Sequence, residues 1–292
     1  MSIPLSALLL VVACSLGWAG FDLLRKLLVR EIPPVALVFL LTVGSAPLFA
    51  VWWIAGGGGG PGPGYWLPAL GSVAINIVAN LLFLQGMRIA PLSVTVPLLS
   101  LTPAFATLLA IPLLGERPTA LDSLGILMVI AGAIWLHWTP RPTEPAPAQD
   151  RKVAVKGASM VALTAFLWSL TIPLDKLSVE RGPAPFHGVV LTAGVALGVL
   201  VVLTFQGSLR EVGRVRRAPW LLVLALVVSS AALALQLLAL PQVYVGTVET
   251  LKRGIGNFMA LLSGWAFFGE AVTPRKVFAV GLMAVGVALI LT

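Results

Sequence analysis

Glu249, Lys252 and Arg253 lie within five residues of one another inside Val243–Phe268, a stretch otherwise apolar and long enough to cross a bilayer. Two adjacent cations can hold a carboxylate or phosphate, and Arg253 suits planar bidentate contact. Glu249, three and four residues earlier, shares their helical face and can balance them or carry a proton. At about 1.5 Å per residue in a hydrocarbon layer about 30 Å thick, Lys252 and Arg253 fall near the midplane. Each charge facing lipid there costs about 2.5–3.5 kcal/mol, so the three must face protein, water or ligand. The helical stripe agrees: Glu249, Lys252/Arg253, Gly256, Ala260 and Ser263/Gly264 share one face, and Leu251, Ile255, Phe258, Leu262 and Trp265 the other. The plainer alternative is a buried ion cluster that only fixes helix packing.

The elements that must position these charges are membrane helices. The chain has 292 residues, 59% hydrophobic and 10% charged, with mean hydropathy +1.01. A soluble domain carries about 25% charged residues. Apolar runs near twenty residues, without the alternation of a membrane barrel, predict an all-α integral membrane protein. Ten transmembrane helices are expected at about 4–24, 34–54, 66–87, 92–114, 120–138, 157–177, 186–206, 219–240, 243–268 and 274–292. The first run has no preceding basic residue and no small-residue cleavage site, which marks a transmembrane helix rather than a signal peptide. Cys14 alone excludes an intramolecular disulfide and a multi-cysteine metal site. His137 and His187 lie near segment ends, where an interfacial role is expected. No nucleotide-binding loop, HExxH, GxSxG or paired-cysteine motif occurs. An enzyme, a primary ATP-driven pump, a bound cofactor or metal, and a nucleic-acid partner therefore find no support.

The proline-rich, charged stretch at 139–155 divides the chain into an N-terminal repeat, 1–138, and a C-terminal repeat, 156–292. Ser15–Pro34 matches Ala165–Ala184 at a shift of 150, pairing Trp18 with Trp168 and Lys26 with Lys176. Leu108–Ala133 matches Leu261–Val287 at a shift of 154, pairing Gly115-Glu116 with Gly269-Glu270 and Gly132 with Gly286. Five helices per half is odd, so the two repeats have opposite orientations in the membrane, a recurrent design of secondary transporters. The loops after odd-numbered helices hold fourteen Lys and Arg residues. The opposite side holds three: Arg117, Lys176 and Arg181. The positive-inside rule then predicts both termini outside.

The fourth helix is the repeat partner of the ninth. Its Pro97 and Pro103 fall where the ninth has Leu251 and Asn257, and Gly254 and Gly256 are expected to loosen the ninth. Interrupted helices in corresponding positions point to a binding site, because freed backbone is tolerated only beside a cavity; the alternative is a packing kink. The partner positions Thr95, Leu98 and Leu99 carry no charge, so the chemistry is one-sided. Asn76 and Asn80 on the third helix, with Ser229, Ser230 and Gln236 on the eighth, can bind substrate or join helices. Trp18 and Trp168 can line a cavity or anchor at the interface. Asp22 with Arg25/Lys26, and Asp175 with Lys176, read as local pairs or snorkelling charges. Glu116 and Glu270 read as structural, Thr119 with Asp122 as a capping box, and Thr273-Pro274 as a helix start. Gly125, Gly132, Gly281 and Gly286 make small-residue faces for packing within a monomer or a homodimer.

Leu16-Gly17-Trp18, Leu167-Trp168-Ser169, each Gly-Glu pair with its following glycine-bearing helix, and Arg88–Glu116 resemble the drug/metabolite transporter superfamily, EamA-type branch. The resemblance covers nearly the whole chain. It implies ten helices in two inverted repeats around a central cavity, alternating access, and export driven by a proton or substrate gradient across a plasma (bacterial inner) membrane. One departure is that ten-helix members usually have cytoplasmic termini. The resulting expectation is a secondary transporter exporting a small anionic or zwitterionic metabolite from a site between helices 3–4 and 8–9. Its substrate-binding candidates are Lys252, Arg253, Glu249, Asn76, Asn80, Thr95, Thr102, Asn257, Trp18 and Trp168, with Glu249 also the proton-coupling candidate. The alternatives are a flippase for a lipid-linked phosphate or sugar and a non-transporting membrane scaffold or sensor.

Overall fold

The computed structural model of the protein describes residues 4–89, 98–137, 148–268 and 273–290. Thr95, Pro97, Glu270 and the side chains of Lys26 and His137 lie outside what is described. The described residues include the helices α1 (Leu5–Leu28), α2 (Pro34–Ala55), α3 (Trp66–Ile89), α4 (Thr102–Leu114), α5 (Ala120–His137), α6 (Ala148–Val179), α7 (Ala184–Phe205), α8 (Pro219–Ala239), α9 (Val245–Phe268) and α10 (Pro274–Ile290), and Leu98–Leu99 are helical as well. A 3-10 segment, Leu209–Arg217, links α7 to α8. Helices dominate because backbone polar groups in hydrocarbon must be satisfied within the segment. Six of the helices, α1–α3 and α6–α8, are long and apolar enough to span a bilayer by composition alone. The 24 residues of α9 reach about 36 Å at 1.5 Å per residue, long enough to cross but interrupted by its three charges.

Three features of the helices bear on the expected segments. First, α6 begins at Ala148 rather than 157, so the end of the expected linker is helical. Second, Leu98–Leu99 are helical and Ser100–Leu101 turn before α4 begins at Thr102 with Pro103 in its first turn, where a missing N–H costs nothing. Third, α9 runs unbroken through Gly254 and Gly256, correcting the expected loosening there. A helical glycine costs about 1 kcal/mol, less than exposing unsatisfied backbone to hydrocarbon. A Cβ at Gly254 would come 3.0 Å from Val287 Cγ2, whereas one at Gly256 would meet nothing within 4 Å. Gly254 thus serves the approach of α10 rather than a break.

The expected helix starts hold. Thr119 and Asp122 form a reciprocal box, with the Asp122 N–H donating to Thr119 Oγ1 at 3.1 Å and the Thr119 N–H to Asp122 Oδ2 at 2.7 Å. The Lys276 N–H donates to Thr273 Oγ1 at 3.4 Å. Gly115 ends α4 in the left-handed region, φ 68°. Glu116 follows it, buried, and accepts the Val245 N–H at 2.9 and 3.2 Å. A carboxylate on the first N–H of α9 offsets both an orphan donor and the helix dipole. Glu116→Ala is therefore expected to cost about 1–2 kcal/mol, read as a lower melting temperature, with Glu116→Gln losing less. An unchanged Ala variant would show that the cap contributes nothing.

The chain packs into two compact units, and the division falls inside α3 and α6. One unit is drawn from residues 3–78 and 171–243, the other from 79–170 and 244–292. Each unit therefore draws on both sequence repeats. In the first, α1 packs on α8 and α2 on α7. Phe21, Leu28, Leu37 and Leu41 pack with Leu222 and Ala225, and Val73 with Leu191, Val195 and Val199. In the second, α5 packs on α10 and α4 on α9, with Val129, Ala133 and Met283 buried together. Three of these pairings, α2–α7, α4–α9 and α5–α10, join a helix to its own repeat counterpart. Many large apolar side chains are exposed, Phe205 at 88% and Leu67 at 86% among them, because the solvent they meet is lipid.

Candidate functional site

The sequence-predicted charges gather on α9. Glu249, Arg253 and Asn257 recur every four residues and so line one face, with Lys252 beside them. Glu249 is fully buried and Asn257 is 7% exposed. Lys252 Nζ pairs with Glu249 Oε1. Arg253 Nη2 donates to Thr102 Oγ1 on α4 at 3.4 Å. That hydroxyl donates to the Leu99 carbonyl at 2.6 Å, and Ser169 Oγ of α6 donates to the Thr102 carbonyl at 3.1 Å. The chemistry is left incomplete: Glu249 Oε2, Arg253 Nε and Asn257 Nδ2 are buried without a hydrogen-bond partner. An unmet buried group costs about 1–3 kcal/mol, and more when charged. Three on one helix face form an unsatisfied array of one acceptor and two donors. On the opposite face Phe258, Leu262 and Trp265 are 49%, 42% and 59% exposed, which suits lipid.

The remaining candidates divide between the two units. Asn80, Trp168 and Pro103 belong with α9; Trp168 stacks at a tilt on Phe83 of α3, centroids 5.0 Å apart, and Pro103 is buried in the first turn of α4. Trp18 and Asn76 belong to the other unit. The Trp18 indole donates to Gln236 Oε1 on α8 at 2.8 Å, and Ser230 Oγ to Ser45 Oγ at 2.8 Å. These contacts join α1 to α8 and α2 to α8. Asp22 pairs with Arg25 at 2.7 Å on the exposed end of α1, as expected of a local pair.

Two readings of that unit are corrected. Asp175 and Lys176 are buried, 3% and 7% exposed, rather than a snorkelling pair. Lys176 Nζ donates to the Val243 carbonyl at 2.9 Å. His187 is fully buried rather than interfacial. Its Nδ1 lies 3.0 Å from the Tyr65 hydroxyl and its Nε2 lies 3.1 Å from Asp175 Oδ1. Ser72 Oγ donates to the same carboxylate oxygen, and Asn76 Nδ2 reaches Ser72 Oγ at 3.3 Å. Burial first, and then the Asp175 carboxylate, push the Tyr65 phenol well above its usual range, so it keeps its proton. Phe186 and Trp66 pack on the Tyr65 ring at 5.4 and 5.2 Å. This aromatic cover, assembled from residues more than a hundred positions apart, removes His187 from the interface. The one local signal for the chain is an Asp near the end of α6 with a His in the first turn of α7, a hairpin that sets the two side by side.

In comparison with known proteins, a solved structure described only as "Crystal structure of protein" superposes with a TM-score of 0.79 at 22% identity, covering 97% of each chain. At that identity the match speaks for the fold alone. No curated protein sequence matches the chain. The model of the EamA-like transporter family matches twice, over residues 5–138 and 155–292. The duplication, the helices and the two matches together place the chain in the EamA-like transporter family, a family of integral membrane transporters rather than enzymes.

Proposed function

We propose that the protein is a secondary transporter that exports a small anionic or zwitterionic metabolite by alternating access, and that α9 carries its binding residues. The supporting observation is the unsatisfied array of Glu249 Oε2, Arg253 Nε and Asn257 Nδ2. An anionic group meeting Arg253, Lys252 and Asn257 supplies acceptors to the two open donors, and an ammonium on a zwitterion supplies a donor to Glu249. Thr102 holds the guanidinium from α4, so Arg253 is positioned before substrate arrives, which lowers the ordering cost of binding. Glu249 balances the cations in the absence of substrate.

The test is a melting-temperature screen of the purified protein against carboxylates, phosphates and amino acids, with Arg253→Ala in parallel. Anions or zwitterions are expected to raise the melting temperature of the parent and not of the variant, with a parallel loss of export from proteoliposomes. If Arg253→Ala folds and is stabilised by the same ligands to the same extent, the α9 site is wrong. Movement of labelled polyprenyl phosphate in place of every soluble anion would make the protein a flippase instead.

A further inference from the structure

We infer that Tyr65, His187 and Asp175 form a proton-binding site, built into the unit of residues 3–78 and 171–243 and separate from the charges of α9.

The inference starts from what each nitrogen of His187 meets. Nε2 faces Asp175 Oδ1 at 3.1 Å, an acceptor that an N–H on this nitrogen satisfies whether the ring is neutral or charged. Nδ1 faces the Tyr65 hydroxyl at 3.0 Å. A hydroxyl is both donor and acceptor. With the ring neutral, Tyr65 donates its proton to Nδ1. With the ring protonated, Nδ1–H donates to the Tyr65 oxygen and the phenol proton rotates away. Both ring nitrogens are hydrogen-bonded in either state, while the charged state turns the buried phenol O–H away from the acceptor it has in the neutral one. A backbone carbonyl at Nδ1, the common way to lock a histidine, would satisfy only the states with a proton there. Since an orphaned buried group costs about 1–3 kcal/mol, a partner that works in both states spares the charged ring that cost and moves it to the phenol O–H, a neutral donor. The phenol itself does not compete for the role, because burial keeps it protonated.

The surroundings support a site rather than a surface histidine turned inward. His187 and Tyr65 are both fully buried and Asp175 nearly so, and Ser72 holds the carboxylate from the far side. Few other charges face the pair. In this unit α2, α8 and residues 66–78 of α3 contain none, and α7 contains only His187. From the end of α6 come Lys176, directed to the Val243 carbonyl, and on the following turn the exposed Glu180 and Arg181, with Arg181 Nη1 on the Gly64 carbonyl at 3.2 Å. Asp175 is thus the carboxylate in hydrogen-bond contact with the ring.

The experiment needs no substrate. The sequence has two histidines, so the full chain carrying His137→Gln, labelled with ¹⁵N-histidine and placed in nanodiscs, reports His187 alone. Imidazole nitrogen shifts recorded from about pH 5 to pH 9 are expected to pass from the imidazolium pattern to a neutral ring protonated at Nε2. Asp175→Asn is expected to abolish the imidazolium pattern in that range. Tyr65→Phe, which removes one hydroxyl and keeps the ring, is expected to displace the transition to lower pH because the charged ring then orphans its Nδ1–H. A ring that keeps one protonation state throughout, or a transition that Tyr65→Phe leaves in place, overturns the inference. The Tyr65→Phe arm decides the matter even if Asp175→Asn does not fold. None of these outcomes depends on α9, so the proton site and the substrate site stand or fall separately.

Discussion

Lys252→Met is expected to destabilise the protein by about 3–5 kcal/mol, the cost of removing one partner from a buried ion pair. Glu249 is fully buried, and its carboxylate pairs with Lys252. Without the ammonium, an uncompensated charge and an already unpartnered oxygen remain in a medium that solvates neither. The double variant Glu249→Gln/Lys252→Met is expected to recover most of the loss, because removing both charges of a buried pair is often close to neutral. Thermal unfolding in nanodiscs of the parent, both single variants and the double variant completes the cycle. A double variant no more stable than Lys252→Met would show that the pair does not hold α9. The cycle also separates stability from function. The refolded double variant is expected to remain unresponsive to anions, since Lys252 is one of their two cations.

Gly125→Ala is expected to cost about 1–3 kcal/mol, a large effect for one methyl group. A Cβ at this position would come 2.5 Å from the Gly286 carbonyl oxygen and 2.6 Å from Ile290 Cγ1. The carbonyl belongs to the backbone of α10 and cannot rotate away, so the two helices must separate. Gly132 is more forgiving on one side, because its nearest neighbour at 2.5 Å is the flexible Met283 side chain, although the Ala279 carbonyl lies at 2.7 Å. Gly281 provides the contrast. It lies in α10 with nothing within 4 Å of a built Cβ, so Gly281→Ala is expected to be neutral or stabilising by up to about 1 kcal/mol through helix propensity alone. Equal melting temperatures for Gly125→Ala and Gly281→Ala would show that the close approach of α5 and α10 does not set stability.

These glycines show how far a sequence reading reaches. Gly125, Gly132, Gly281 and Gly286 all read as small-residue faces, and the choice between packing within the monomer and packing in a dimer stayed open. In the structure Gly125, Gly132 and Gly286 are consumed by the α5–α10 contact, and Gly281 is not. Spacing alone cannot separate them, because the outcome depends on the rotation of each helix about its own axis. Gly254 and Gly256 likewise read as a helix break. Only the position of Val287 shows that one of them serves close approach within a continuous helix.

What the sequence determined by itself was what the bilayer imposes locally. A segment must be apolar for about twenty residues to cross, so the helices, the membrane class and the duplication were legible from composition and self-similarity. The charges of α9 were legible for the same reason, since an ion inside such a segment has no cheap bland explanation. Tertiary structure alone decided which polar groups meet. Ser72 and Asp175 are 103 residues apart, and Tyr65 and His187 are 122. Each looked ordinary in its own segment. Asp175 and His187 stood at helix ends, where a charge can reach water, and nothing local announced that the end of α6, the start of α7 and Tyr65 would close over one another. Hydropathy is a property of neighbours in the chain. Hydrogen-bond partnership between helices is a property of their rotation and register, which side-chain packing sets only after the chain has folded.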